Sequence, residues 1–339
     1  MKLTGKLLVL FGLVSNVPLL GAAEQQPAQL KFMHAQVTAA DFSPGGKMLA
    51  SAGEGGVVLW DLAARKEVRR LATKHRPQQV RFSPDGTLLA AADPEHVYVW
   101  QPENGRERLG TGLGGSYEIH ALGFSACGDA VTVFFNRGQQ RCWDTNTREG
   151  VSAFWKLDCR GGRPNIEVAL DGRLLVNSRG SRILRLTPRD GSAFEVTAPP
   201  ADHCSLPSLA LAADGKTLAA AGNTVFIWET ATGKELAQYP AGHYRSPLSV
   251  ALSPDGKRLA TPGTDGYPWD RENGYEIIDP NGFFVRLRET NTGKELRRLA
   301  VPAIRYNRGE AVGGLRFSPN GKTLVGLGDG MILLWDVGR

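Results

Sequence analysis

Apolar residues in this chain come in short runs of three to six, separated by Gly, Asn, Asp and Thr. One stretch shows the pattern most clearly. It reads Leu209-Ala-Leu, Ala212-Ala-Asp-Gly, Lys216-Thr-Leu-Ala-Ala-Ala, Gly222-Asn-Thr, Val225-Phe-Ile-Trp-Glu, Thr230-Ala-Thr-Gly and Lys234-Glu-Leu-Ala. Apolar runs this short, bounded by turn formers, predict strands of a small antiparallel sheet. Asp-Gly supplies the positive φ that a tight hairpin turn needs. The expected unit is four strands, a to d. Asp214-Gly215 joins a to b, Gly222-Asn223 joins b to c, and Thr232-Gly233 joins c to d.

The unit recurs along the whole chain. Phe42-Ser-Pro-Gly-Gly, Phe82-Ser-Pro-Asp-Gly, Phe124-Ser-Ala-Cys-Gly, Val168-Ala-Leu-Asp-Gly, Leu211-Ala-Ala-Asp-Gly, Leu252-Ser-Pro-Asp-Gly and Phe317-Ser-Pro-Asn-Gly are seven copies of one phrase. Their closing glycines are spaced by 40, 42, 44, 43, 41 and 65 residues. A period of about 40–45 residues with several strands per unit marks a β-propeller. The expected fold is all-β: seven four-stranded antiparallel blades. The chain ends just after strand c of the seventh repeat, which leaves that blade without strand d. The segment 28–33 has no other place to pair and is assigned to it, so the N-terminal strand completes the last blade and removes an open edge.

Strand c carries a second mark. Trp60, Trp100, Trp143, Trp228 and Trp335 stand at one repeat position, five of the seven tryptophans of the chain. A Trp there fills space between neighbouring sheets. Leu186 in the fourth repeat and Arg288 in the sixth replace it. With Trp-Asp endings and Thr-Gly-Lys-Glu turns, residues 28–339 resemble the WD-repeat family, and the Ser-Pro-Asp-Gly-Lys phrase is similar to that of bacterial members. The resemblance implies a hydrogen-bonded set linking a His before strand a, a Ser or Thr in b, an Asp in the b–c turn and the Trp of c. Fragments of that set are present: His34, His75, His203 and His243 before strand a, Ser51 with Glu54 in the first repeat, and Asp329 in the seventh. This reading makes those four histidines structural rather than ligands for a metal. The missing members put the rigidity of individual blades in question.

Residues 1–23 stand apart from the repeats. Lys2 and Lys6 precede an apolar run from Leu7 to Val14, and the segment closes on Gly21-Ala22-Ala23. A basic start, a short apolar stretch and small residues at a cleavage site predict a secretory signal peptide. The run falls short of the ~20 residues that span a bilayer. The expected mature chain, 24–339, is exported to the periplasm or cell exterior, with no membrane span after cleavage. Removing 1–23, with its two lysines and no acids, changes the net charge from +6 to +4. That surplus concerns solubility and excludes a nucleic-acid signature.

Export permits disulfides. Cys127 in the a–b turn and Cys142 in strand c of the third repeat are expected at one end of the same sheet and form a candidate bond. Cys159 and Cys204, in successive d–a loops, form the second. No Cys-x-x-Cys spacing suggests zinc, and no cofactor is expected.

In the family the b–c and d–a loops share one face. The sixth repeat carries an insertion there, at about 264–283, with Tyr267, Trp269, Arg271 and Tyr275. Aromatic and Arg side chains on a long loop are what a binding hot spot is made of. The alternative is a loop that packs on its own blade above Arg288. Further candidates are Trp155 and Arg160 before the fourth blade, Tyr244 and Arg245 before the sixth, and Arg305 and Tyr306 before the seventh. There is no Gly-x-Ser-x-Gly elbow, His-Glu-x-x-His or phosphate-binding Gly loop. The expected function is a non-catalytic, monomeric scaffold for a protein or peptide partner, not an enzyme. The alternatives are a propeller enzyme, hydrolase or lyase, with a channel-mouth site, or a small-ligand sensor. A last expectation concerns charge. Asp41, Arg81 and Arg316 precede the strand-a Phe in the first, second and seventh repeats, and Asp41 is expected to pair with one of these arginines.

Overall fold

The structure, a computed structural model, describes residues 28–31, 36–135, 139–151, 166–168, 174–179, 183–188, 194–197, 208–222, 224–241, 249–264, 283–301, 312–328 and 330–338. Among them the secondary structure is strands and turns, without a helix. The strands form seven antiparallel four-stranded sheets in a propeller-like arrangement. The first six span 37–71, 79–112, 119–151, 166–197, 208–240 and 251–300, each a meander of consecutive strands. The seventh joins 313–336 to Ala28–Lys31, which pairs antiparallel with Met331–Asp336 and forms its outer strand.

The core lies between sheets rather than within any one of them. Ala50, Leu59 and Leu71 of the first sheet pack with Val80, Leu89 and Tyr98 of the second. Val325, Leu327, Ile332 and Leu334 of the seventh pack with Phe42, Leu49 and Trp60 of the first. A sheet covered on both faces needs near-continuous apolar inner strands. Leu89–Ala92 and Ala130–Phe135 are such strands, fully buried along their length. Outer strands such as Lys66–Leu71 and Glu235–Pro240 are mostly exposed and carry charge, which discourages edge-to-edge pairing.

The repeated phrase has a local and an intersheet cause. In Ser83-Pro-Asp-Gly, Ser83 Oγ donates to Asp85 Oδ1 at 2.6 Å and accepts from Leu88 N at 2.9 Å. Asp85 also accepts from Thr87 N at 3.0 Å. Burial raises the Asp85 pKa, but these bonds outweigh it and hold the carboxyl below its ordinary value. The next glycine has φ 75°, a conformation glycine adopts without strain. A Cβ there would come within 3.2 Å of Pro44 Cδ, so the Pro of one turn packs on the Gly of the next sheet's turn. Gly46 meets Pro319 in the same way, joining the first sheet to the seventh.

Register corrects one expectation. Trp60, Trp100, Trp143, Trp228, Arg288 and Trp335 pair with Leu49, Leu89, Val131, Leu218, Leu259 and Leu324. The matching partner in the fourth sheet is Leu175, and it pairs with Thr187; Leu186 pairs with Val176. Thr187, not Leu186, holds the Trp position there. One residue of slip moves a strand position to the opposite face, and the strand Ile183–Pro188, without a Trp, gives no such mark to count from.

Candidate functional site

The ten candidate partner-binding residues Tyr267, Trp269, Arg271, Tyr275, Trp155, Arg160, Tyr244, Arg245, Arg305 and Tyr306 lie outside the described residues. So do Cys159, Cys204, His34, His203, His243, Asp329 and the segment 1–23. The strands that flank the long insertion are described: Arg258–Thr264 pairs with Phe283–Glu289 over its whole length. Cys127 and Cys142 are not joined to each other, so the bond expected between them is not present. Their surroundings differ. Cys142 is buried with its Sγ 2.7 Å from Thr132 Oγ1, whereas Cys127 is exposed in its turn, 4.0 Å from Ser125 Oγ.

The inner strands are stitched sheet to sheet. Asp41 Oδ1 lies 3.5 Å from Arg81 Nη1, as the charge pattern predicts, and Asp41 Oδ2 accepts from Phe82 N at 2.9 Å. Both residues are buried. Val250 N donates to Ser208 Oγ at 2.9 Å and Leu315 N donates to Ser249 Oγ at 2.8 Å. A cavity of ≈210 Å³ opens between these strands, lined by Asp41, Ser208, Ser249, Arg316 and apolar residues. Asp41, Ser208 and Ser249 are thus engaged with the backbone of the neighbouring sheet, a holding role rather than a chemical one.

The Trp position is anchored in more than one way. Trp60 Nε1 donates to Ser51 Oγ at 2.8 Å, the bond the family resemblance implies, while Glu54 is exposed at its turn. Trp335 Nε1 donates instead to Ala300 O of the sixth sheet at 2.9 Å. Arg288 is 6% exposed and donates to Pro240 O at 3.2 Å, at the end of the fifth sheet, and to Ala241 O just beyond it at 2.9 Å. Burial first, and the nearby Arg286 charge second, lower its pKa. The sixth sheet is therefore anchored to the fifth at this point by Arg288.

Several ionisable groups meet at one end of the second sheet. Asp93, in the turn between its second and third strands, is fully buried. Its Oδ1 accepts from Glu95 N at 2.8 Å and His96 N at 2.7 Å. Its Oδ2 accepts from His75 N at 3.2 Å and Tyr98 OH at 3.1 Å. Burial, with the Asp93 charge adding to it, pushes the Tyr98 pKa up to about 12, so its hydroxyl stays a donor. Ala91 occupies the place that Ser51 has in the first sheet, and Tyr98 that of Val58. His75, His96, Tyr98 and Trp100 form a column of rings with centroids 5.9, 5.9 and 5.3 Å apart. The sequence reading placed His75 before strand a but missed Asp93 and His96. A signal was available: Asp93 follows strand b directly, three residues before His96.

Against this geometry the family comparison is specific but short. The model of the WD domain, G-beta repeat, matches residues 28–61 and 304–336. Both matched stretches end in Trp-Asp, at Trp60-Asp61 and Trp335-Asp336. No curated protein matches the chain. Two WD40 repeats within an all-β set of four-stranded sheets define a class of chain that generally serves protein–protein interaction and is generally non-catalytic.

Proposed function

We propose that this protein is an exported seven-bladed WD-repeat propeller, closed by its N-terminal strand, that acts as a non-catalytic scaffold for a protein or peptide partner. The observation that carries the reading is the pair of WD matches at the two ends of the chain, whose last strands flank one continuous core. The seven sheets and the pairing of Ala28–Lys31 with the last strand support blade number and closure. The partner-binding face is the one with the b–c and d–a loops, and the 264–283 insertion is its main contact. Export rests on the pattern of residues 1–23.

The test uses the mature chain as bait on the native envelope fraction, with Trp269→Ala/Arg271→Ala as the paired variant. Hot-spot truncation costs ~2 kcal/mol or more, so a partner held by wild type should be lost by the variant at unchanged melting temperature. A variant that melts lower and still captures the partner would assign the insertion to packing. A variant unchanged in both would remove the insertion from function. Export is read separately, as a mature N-terminus near Glu24.

A further inference from the structure

We propose that His75, Glu95 and His96 form a binding site for a single borderline divalent metal ion, with zinc as its probe. Each offers one ligand atom, and the three atoms lie within 4.8 Å of one another. His75 Nε2 and Glu95 Oε2 are 3.3 Å apart. Two ligands at about 2.0–2.1 Å from a tetrahedral zinc stand about 3.4 Å apart, so this pair is already at coordinating distance. Two imidazoles and one carboxylate are a donor set zinc accepts, with a fourth position left to water.

The surroundings prepare these residues for a metal. Asp93 receives the backbone N–H of all three candidate ligands and thereby fixes their relative positions. Its Oδ1 also lies 3.4 Å from His96 Nδ1, in ion-pair range but without hydrogen-bond alignment. His96 Nε2 stands 3.2 Å from Lys74 Nζ. An ammonium can only donate, so Nε2 carries the lone pair and Nδ1 the proton on the Asp93 side. A carboxylate behind one imidazole nitrogen and a lone pair on the other is the arrangement that orients metal-ligating histidines. An incoming cation would take the place of the Lys74 ammonium. His75 and Glu95 are about half exposed, 47% and 45%, so the ion has a path from solvent.

The inference is independent of the scaffold reading and fails separately from it. The mature chain, stripped with a chelator, is titrated with Zn²⁺ by calorimetry, and its melting temperature is read with and without the ion. One saturable equivalent that raises the melting temperature is expected. His75→Ala and His96→Ala should each weaken that equivalent at least about tenfold. Lys74→Ala should tighten it, because a competing charge is gone. A cluster that is only an ion-pair network predicts no such gain. Should His96→Ala fail to fold, His75→Ala, at a half-exposed side chain, and the visible spectrum of the Co²⁺-loaded wild type decide. The absence of saturable binding in wild type would overturn the proposal, as would binding that survives the histidine substitutions.

Discussion

The sixth and seventh sheets solve one structural problem with different chemistry. At the shared position the seventh has Trp335, fully buried, whose single N–H reaches Ala300 O at the end of the preceding outer strand. The sixth has Arg288, whose fork reaches Pro240 O and Ala241 O at the corresponding end of the fifth sheet. Arg288 also lies 5.6 Å over the Tyr239 ring. The position therefore needs a long side chain that fills the gap between sheets and donates to the neighbour's carbonyl. Trp does this with more apolar area. Arg does it with two bonds and the desolvation of a cation.

The largest effect should come from Trp335→Ala. A fully buried Trp leaves a cavity and an unpaired Ala300 carbonyl, a loss of ~3–5 kcal/mol in denaturant unfolding. A loss below ~1 kcal/mol would mean the intersheet gap collapses without cost. Arg288→Ala should lose less, about 2 kcal/mol, because relief from burying a cation offsets part of two lost bonds. Arg288→Lys should rescue it only in part, since an ammonium is a compact point charge without the planar fork whose two nitrogens reach the two carbonyls. Full rescue by Lys would make charge, not geometry, the requirement.

The a–b turns sharpen the comparison through pH. Asp255 in the sixth sheet and Asn320 in the seventh make the same bonds, accepting from Ser253 Oγ at 2.6 Å and Ser318 Oγ at 2.7 Å. The Ser253 bond, the main cause, lowers the Asp255 pKa against an opposing effect of burial, and the Lys257 N–H and the Arg258 and Lys257 charges lower it further. A carboxyl lowered on folding contributes stability above its unfolded value of about 3.9 and loses it as pH falls through the folded value. Asp255→Asn should therefore flatten the acid limb of the stability curve, and Asn320→Asp should steepen it. Each change should stay under ~1 kcal/mol at this exposed turn. Equal curves at pH 5 and pH 3 for all three proteins would remove the turn from the acid response.

The smallest effect concerns Tyr239. Its hydroxyl is buried without a partner among the described residues, and burial pushes its pKa up to about 12. Tyr239→Phe keeps the ring under Arg288 and deletes an unsatisfied group, so stability should hold or rise by up to ~1 kcal/mol. A clear loss would show that the hydroxyl has a partner that packing alone does not reveal.

Much of this was legible in the chain itself. Glycine needs at positive φ, apolar runs and a recurrent Trp are local properties, so the repeat, the strand order and the pairing of segment 28–31 with the last strand could be read from residues in line. The Asp41–Arg81 pair could be read because equal repeat positions are neighbours in space. Thr187 could not, because register is settled by pairing with Leu175 and no Trp in the strand Ile183–Pro188 marks the phase. Nor could the role of Arg288. By sequence it is a missing Trp; only the packed fifth sheet supplies the carbonyls that make it a substitute. Asp93 is one acid among many until burial strips it of water and leaves three N–H groups and a Tyr hydroxyl as its partners. Local pattern decides which strands form, because it acts through each residue's own backbone and its near neighbours. Which side chains meet is decided between sheets, by residues about 40 positions apart whose desolvated polar groups must find one another.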